Sequence, residues 1–517
     1  MNPNRKESIF RQVLLSGLWT LGLRLSSRAL GFVRTIVLAR LLFPADFGLI
    51  AMAMVVVTGL DSVSQTGFPQ ALIQKKRGAE QCLDTAWAVA LVRSCVLCFL
   101  LVLCAPFVSD FFASPRLTGI IRVVSLSVLL SGFANIGIVF FQKDLEFRKQ
   151  FNFEWWASVL EFALTVWLAW TLRDVWALVW GGLAGNLMRV ALSYVLHPYR
   201  PAFRFHPESF GELMSFGKWV TGYTVLLFAA YQMDNILIGR LLGAEELGFY
   251  QMAYLTAVIP SSEVAIAFSM VLFPSFSMLQ GQPVRLRESF EKVLQVSSMV
   301  CMPIAFGICA VAPEFVRIVL GERWLGIAMV MQALSIMGIA KALEGPMNSL
   351  MMAVGRPGIV TGLSAIQLAV LVAALYPCIS RWGLHGAAVT MAGTGLVAVV
   401  AALRASCRVT QIQPVRVATL VAVPLVASAA MAAAVTALKH VATPSSLVAF
   451  LSLVAAGVVL YGAFLLLTDA AVTAGSYRRL LIALAGGLLH SEARGADPAP
   501  PMVGEAAAVL SAEKRPR

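Results

Sequence analysis

The sequence predicts an all-α polytopic membrane protein of about 14 transmembrane helices, arranged as two six-helix lobes that are parallel pseudo-repeats, with two further helices at the C-terminal end. Three observations carry this prediction. First, 59% of the 517 residues are hydrophobic and 13% are charged, with a mean hydropathy of +0.80. That leaves too little polar side chain to cover a soluble globule of this length. Second, apolar runs near the roughly 20 residues that a bilayer-crossing helix needs recur along nearly the whole chain. Third, Thr35 to Ala53 (TIVLARLLFPADFGLIAMA) recurs without a gap at an offset of 200 residues as Asn235 to Ala253 (NILIGRLLGAEELGFYQMA). Ile36, Arg40, Leu41, Leu42, Gly48, Met52 and Ala53 reappear as Ile236, Arg240, Leu241, Leu242, Gly248, Met252 and Ala253.

Taken in order, the expected spans cover residues 13–38, 47–73, 84–109, 119–141, 153–171, 175–196, 216–239, 249–273, 293–316, 325–353, 358–378, 383–403, 417–438 and 446–468. Residues 1–12 form a polar, basic N-terminus. The run behind them is long and has no small-residue cleavage site, so it is expected to stay as a membrane anchor. The first lobe occupies 13–196, a polar connection 197–215, the second lobe 216–404, and the added spans 417–468. The tail, 470–517, is rich in Ala, Pro and Glu from about residue 491 and is expected to be disordered.

Charge sets the expected orientation. With the N-terminus in the cytoplasm, eighteen Lys and Arg from Arg5 to Arg416 fall in inner connections against eight in outer ones, a positive-inside bias. Both ends are then cytoplasmic. The net charge of +13 reports topology and attraction to anionic lipid head groups, and gives no reason to expect nucleic acid. Six spans separate the repeated stretches, so both turns face the same side of the membrane. Parallel repeats of this kind are related by an axis along the membrane normal, with substrate sites between the halves near the midplane. Ala105-Pro106 and Ala312-Pro313, near the end of the third span of each half, echo the same unit.

Catalytic and cofactor signatures do not stand out. The chain has no GxxxxGK loop, and Gly393-Thr-Gly395 lies within a span, where helix packing explains it. His197, His206, His385, His440 and His490 are scattered, without the helical pairing that holds zinc. Cys95-x-x-Cys98 sits mid-span with no second pair and is read as packing. No metal or cofactor is expected, and no outer loop is large enough for a catalytic domain. A transporter is expected, not an enzyme.

The informative residues are charges inside spans, each costing at least about 2.5–3.5 kcal/mol on insertion scales. The first span carries Arg24, Arg28 and Arg34. Arg24 and Arg28, four apart, share a helix face, while Arg34 lies about 80° around the axis from Arg24. A cationic cavity that binds an anionic substrate is the expected role of all three, against structural ion pairing within the bundle. Asp61 in the second span and Glu263 in the eighth lie at similar depth and are candidates for ion coupling. Asp234 occupies the repeat position of Arg34 with the opposite sign, which suggests a gate pair across the lobes. Glu344 is expected to pair locally with Lys341. Arg93 and Arg189 are expected to snorkel to the head groups. Six tryptophans, Trp155, Trp156, Trp167, Trp170, Trp176 and Trp180, cluster in the fifth and sixth spans. Interfacial belts account for most of them.

A deep cationic cavity inside a membrane suits a lipid-linked sugar, whose pyrophosphate matches the arginine fork. Ser27-Arg-Ala-Leu-Gly-Phe-Val-Arg34, continuing to Ala39-Arg40-Leu-Leu-Phe-Pro44-Ala-Asp-Phe-Gly48, resembles the opening of bacterial polysaccharide flippases. Gly67-Phe-Pro-Gln-Ala-Leu-Ile-Gln74, Phe141-Gln-Lys-Asp-Leu-Glu-Phe-Arg148 and Asp234-Asn-Ile-Leu-Ile-Gly-Arg240 resemble later signatures of the same group. The chain is similar, over roughly residues 10–470, to the Wzx-type polysaccharide transporters, nearest the colanic-acid exporter branch of the MOP exporter superfamily. That resemblance implies two lobes in a V and alternating access at the bacterial inner membrane. It also implies an undecaprenyl-pyrophosphate-linked oligosaccharide as substrate, with a polysaccharide polymerase and export machinery as downstream partners beside the membrane lipids. The family's cationic lumen corresponds to Arg24, Arg28 and Arg34. Two rival readings are a lipid II flippase and a multidrug cation antiporter of the same superfamily; an antiporter would need an acid-lined cavity.

Overall fold

The computed structural model describes residues 22, 26–75, 78, 80–144, 146–442, 444–472 and 477–479, and every regular element among them is helical. The chain opens with α1 over 26–41 and turns at Leu42 and Phe43. Pro44, with its φ preset for a first helical turn, then starts α2, Pro44–Ser64. The Phe43 amide donates to the Asp46 carboxylate at 2.9 Å, so one of the free amides at the helix start is satisfied by a side chain. The first lobe continues through the short α3, Phe68–Gln74, then α4, Leu83–Phe111, and α5, Arg116–Gly132. It is completed by α6, Val139–Lys143, α7, Phe147–Leu172, and α8, Trp176–Leu196.

The second lobe runs through α9, Pro207–Leu242, α10, Ala244–Ala257, and α11, Ile259–Met278. It continues with α12, Pro283–Phe315, α13, Ala328–Ala353, and α14, Pro357–Thr410. The last helix folds back at Gly383, whose φ of 57° and ψ of −137° leave the helical region, and so supplies two spans. Two added helices, α15, Pro414–Ala442, and α16, Leu447–Val472, pack on α12.

Among the described residues, eight helices are long and apolar enough to span a membrane singly, and the pair Arg116–Gly132 and Ile136–Lys143, bent by 70°, makes a ninth. The remaining expected spans are the partly described α1, the second arm of α14, α8, α9, and the broken pair α10 and α11. Each of these carries an intramembrane charge or a break in the helix, the kind of feature that a functional cavity requires. The helices also overrun the expected boundaries. The seventh span was expected to begin at residue 216, yet α9 begins at Pro207. Polar residues such as Glu208 read as connection in the sequence, but they continue the helix beyond the hydrocarbon.

The repeated stretch is the seam between the lobes. Gly48 of α2 faces the carbonyl of Ala244, where an added Cβ would lie 1.6 Å from the oxygen. Reciprocally, a Cβ on Gly248 of α10 would lie 1.9 Å from the carbonyl oxygen of Pro44. Only a missing side chain at both positions allows this backbone approach. The two arginines of the repeat obey the same pseudo-twofold relation. Arg40 donates from Nε to the Val319 carbonyl at 2.8 Å and also to that of Ile318, past the end of α12. Arg240 lies over the Phe111 ring at 5.5 Å, at the end of α4. Phe111 and Ile318 each follow the proline of the Ala-Pro echo by five residues.

One core joins both lobes on this turn face. It contains Leu49, Met52, Ala53, Leu247, Met252, Ala253 and the fully buried Trp324, whose indole N–H donates to the Ala39 carbonyl at 2.8 Å. At the other face the cores are separate. Phe68, Leu72 and Leu83 form one with the start of α9, while Phe276, Phe290 and Met347 form another within the second lobe. The large shared core seals the V on the turn face, and toward the other face the first-lobe core still reaches the start of α9. Phe99, Phe107, Val458 and Val459 point outward, more than 65% exposed, as lipid-facing side chains do.

Placing an alanine at Gly48 or Gly248 should force the two turns apart. Overpacking of this kind costs about 1–3 kcal/mol, so each variant should lower the thermal midpoint of the purified protein. Gly462→Ala, with nothing within 4 Å of the new Cβ, should not. Equal midpoints for all three would remove the argument for a backbone seam.

Candidate functional site

A cavity of about 650 Å³ lies behind the sealed turn face, in the first lobe and against the second. Its polar lining includes Arg34, Asp61, Glu161, Asn186 and Arg189 from the first lobe and Gln232 and Gln251 from the second. Glu161 of α7 is the centre of the charge network. Its carboxylate pairs with Arg34 of α1 and, at 3.3 Å, with Arg189 of α8. Arg189 also reaches Glu154 at 3.8 Å and the Asn186 side-chain oxygen at 3.3 Å. Gly185 makes room for the carboxylate, since a Cβ there would lie 2.8 Å from Glu161 Oε2. Deeper along the bundle, Asp61 of α2 pairs with Arg93 of α4, which also donates to Ser64 Oγ at 3.1 Å.

The structure assigns most of the residues expected at the site different partners from those expected. Arg28 pairs with Glu263 across the lobes at 2.8 Å, so the residue picked for substrate and a residue picked for coupling lie in contact. Arg34 does not meet Asp234. It turns into its own lobe toward Glu161, while Asp234 is buried in the other, accepting from the Tyr250 hydroxyl at 2.6 Å and the Asn235 amide at 2.9 Å. A pseudo-twofold axis explains this: equivalent positions face equivalent directions within their own lobes. Arg34 accordingly lines the first-lobe cavity, and Asp234 lines a second cavity of about 460 Å³ with Tyr231, Tyr254, Lys341, Glu344 and Asn348. Lys341 and Glu344 pair at 3.1 Å, as their spacing predicts. Arg24 lies outside the described residues.

Two corrections follow. Arg93 and Arg189 do not snorkel: each finds a carboxylate within the bundle, which removes the need to reach the head groups. And the arginines described in the first lobe do not make a bare cationic wall, because internal acids balance them. Nothing in the sequence sets Glu161 apart from the other intramembrane acids or gives it a partner. Its role depends on α1, α7 and α8 meeting, which no spacing encodes. No tryptophan is among the lining residues of the cavity, and Trp156, Trp167 and Trp170 are more than half exposed on the outside, as a belt requires. Cys95 is exposed and Cys98 is partly buried, the latter facing Ser125 Oγ at 3.5 Å.

The connection between the lobes is fastened to the first lobe beyond the membrane-spanning helices. The Tyr199 hydroxyl donates to Asp84, the Ala202 amide donates to the same oxygen at 3.1 Å, and Asn135 donates to the Tyr199 carbonyl at 2.6 Å. Burial, with the Asp84 hydrogen bond second, holds the Tyr199 hydroxyl well above the usual tyrosine range. Burial first and Lys149 second push His197 below its ordinary value. Its ring nitrogen accordingly accepts from the Tyr199 amide at 3.2 Å.

Comparison with known proteins is consistent with this geometry. The family described as "Polysaccharide biosynthesis protein" matches residues 37–329. The lipopolysaccharide biosynthesis protein WzxC of Escherichia coli K12 is 29% identical over 333 residues, covering 63% of this chain and 67% of that protein. The succinoglycan biosynthesis transport protein ExoT of Rhizobium meliloti is 25% identical over 332 residues, 64% of this chain and 66% of its own. In three dimensions the chain resembles the lipid II flippase MurJ in an inward closed conformation. The TM-score is 0.71 at 13% identity, over 90% of this chain and 99% of the other, a likeness of fold.

Glu161 serves two arginines and its side chain is 17% exposed, whereas Asp61 serves one and is 42% exposed. Removing a buried partner leaves an uncompensated charge, while an exposed one is screened by water. Glu161→Gln should therefore lower the thermal midpoint more than Asp61→Asn. The reversed order in a thermal-shift measurement would refute the hub role of Glu161. A swap of Arg34→Glu with Glu161→Arg should recover part of the midpoint lost by either single change.

Proposed function

We propose that this chain, which belongs to the polysaccharide biosynthesis protein family, is a flippase for an undecaprenyl-pyrophosphate-linked oligosaccharide repeat unit. It works by alternating access at the bacterial inner membrane, with both termini in the cytoplasm and the turn face outward. The observation that carries this reading is a first-lobe cavity that faces the second lobe behind the turn face and is lined by Arg34, Arg189 and the amides Asn186, Gln232 and Gln251. In the inward-facing state the pyrophosphate enters between the lobes and engages Arg24, Arg28 and Arg34, while the glycan lies against the amides Asn186, Gln232 and Gln251. The polyprenyl tail stays in lipid, so only the polar part crosses. Opening of the Gly48–Gly248 seam, with closure at the cytoplasmic side, then releases the glycan outward to a polymerase and the export machinery. Asp61, Asp234 and Glu263 are the candidate carboxylates for proton or sodium coupling, each of them freed from its present partner when it takes up the ion.

Lipid II is the second reading, supported by the fold shared with MurJ; its head group carries the same pyrophosphate. The acids of the first-lobe cavity are all engaged by arginines, which argues against an organic cation as the cargo.

Arg24→Ala, Arg28→Ala and Arg34→Ala should each reduce outer-leaflet appearance of the lipid-linked unit by at least about tenfold, the worth of one strong charge-assisted contact of 1.5–3 kcal/mol. Membrane abundance should be unchanged for Arg24→Ala and Arg28→Ala. Full transport by all three variants would sink the proposal. Deletion of the gene should remove a surface polymer and spare growth; arrested cell-wall synthesis would favour lipid II instead.

A further inference from the structure

Among the described ion pairs within the bundle, Arg28–Glu263 differs from the others in where its members come from. Arg34, Arg93 and Arg189 take their carboxylates from their own lobe, and Lys341 takes its own from the same helix. Arg28 takes its partner from the opposite lobe, joining α1 to α11 at 2.8 Å. The pair lies deep: Arg28 precedes Arg40 at the turn face by twelve residues, about 18 Å along a helix and more than half the thickness of the hydrocarbon. It is also open. The Arg28 side chain is 61% exposed and that of Glu263 is 23% exposed, so a ligand in the cleft can reach the guanidinium without unfolding anything.

We infer that Glu263 is a placeholder: in the empty protein its carboxylate occupies the place on Arg28 that an anionic oxygen of the substrate's diphosphate takes on binding, and its displacement unlinks α1 from α11. Glu263 thus acts through Arg28 as a positioning and selectivity residue, and this rests on the flippase reading above. The energetics favour exchange. An exposed carboxylate–guanidinium pair is worth only about 0.2–1 kcal/mol in sum, so it holds the side chain in place without holding it fast. A diphosphate offers more oxygens and more charge to the same planar fork, and it wins the exchange. A neutral glycolipid or a single weak anion does not. The pair therefore rejects cargo that lacks the diphosphate and keeps a cation in the bilayer interior from standing alone while the cavity is empty.

The test is equilibrium binding of farnesyl diphosphate to the full chain in lipid nanodiscs. Glu263→Gln removes the competitor and should tighten binding by about 2–5-fold, the worth of an exposed ion pair, whereas a purely structural Glu263 would weaken binding or leave it unchanged. Arg28→Gln should weaken binding, and adding Glu263→Gln to it should bring no further change. Glu263→Asp, one methylene shorter, should give an intermediate tightening and serves the same purpose if Glu263→Gln does not fold. If Arg28→Gln weakens binding but Glu263→Gln fails to tighten it, the placeholder is overturned and the head-group role of Arg28 stands. If Arg28→Gln binds as the wild type does, the head-group role at Arg28 falls, and the placeholder with it.

Discussion

The backbone contact of Gly48 with Ala244 and of Gly248 with Pro44 is the constraint on which the rest of the architecture depends. It brings two helix starts together at one face of the membrane, close enough that the lobes share a single core there. That closeness sets the pseudo-twofold axis. From it follow the reach of Arg40 to the carbonyls beyond α12, the matching reach of Arg240 to Phe111, and the separation of the cores at the far face. A contact made by backbone and small side chains carries little apolar area for its closeness. The apolar area comes from the shared core around it, with Leu49, Met52, Leu247, Met252 and Trp324 buried.

The fold was largely legible in the sequence because a bilayer imposes simple rules. Every backbone polar group must be satisfied within a segment, so apolar runs of the right length become helices, and the runs read from hydropathy fall on helices wherever their residues are described. The duplication at 35 and 235 fixed the relation of the lobes before any contact was known. Boundaries were less legible. Residues such as Glu208 and Arg285 continue α9 and α12 past the hydrocarbon, and polarity alone cannot distinguish a solvated helix from a loop. The fold-back of α14 at Gly383 was legible as two spans, since the apolar run there is too long for one.

The site was legible by residue type and not by partner. Arg28, Arg34, Asp61, Asp234 and Glu263 stood out because each is costly in hydrocarbon. Which carboxylate answers which arginine depends on helix rotation and neighbour choice, and sequence distance carries no information about either. Equal repeat positions suggest a pair of Arg34 with Asp234, and the structure does not make it, for a geometric reason. Two residues related by a twofold axis meet only when both face that axis; Arg34 and Asp234 each face the interior of their own lobe. Arg28 and Glu263 are not repeat mates, and they do meet.

A carrier's charges must satisfy two demands that pull in opposite directions. Unpaired arginines would bind a diphosphate most tightly, but they would burden insertion by several kcal/mol each and would hold the substrate too long to release it. Fully buried pairs would fold well and bind nothing. The arrangement observed divides the demands by depth and exposure. Glu161, shielded and shared, holds Arg34 and Arg189 in place, with Glu154 as a second partner of Arg189. Glu263, across the lobes and accessible, leaves Arg28 available to any stronger anion. Under the proposed function, the same cation is compensated by Glu263 in the empty protein and engaged by the diphosphate in the loaded one, and release needs only the return of that carboxylate.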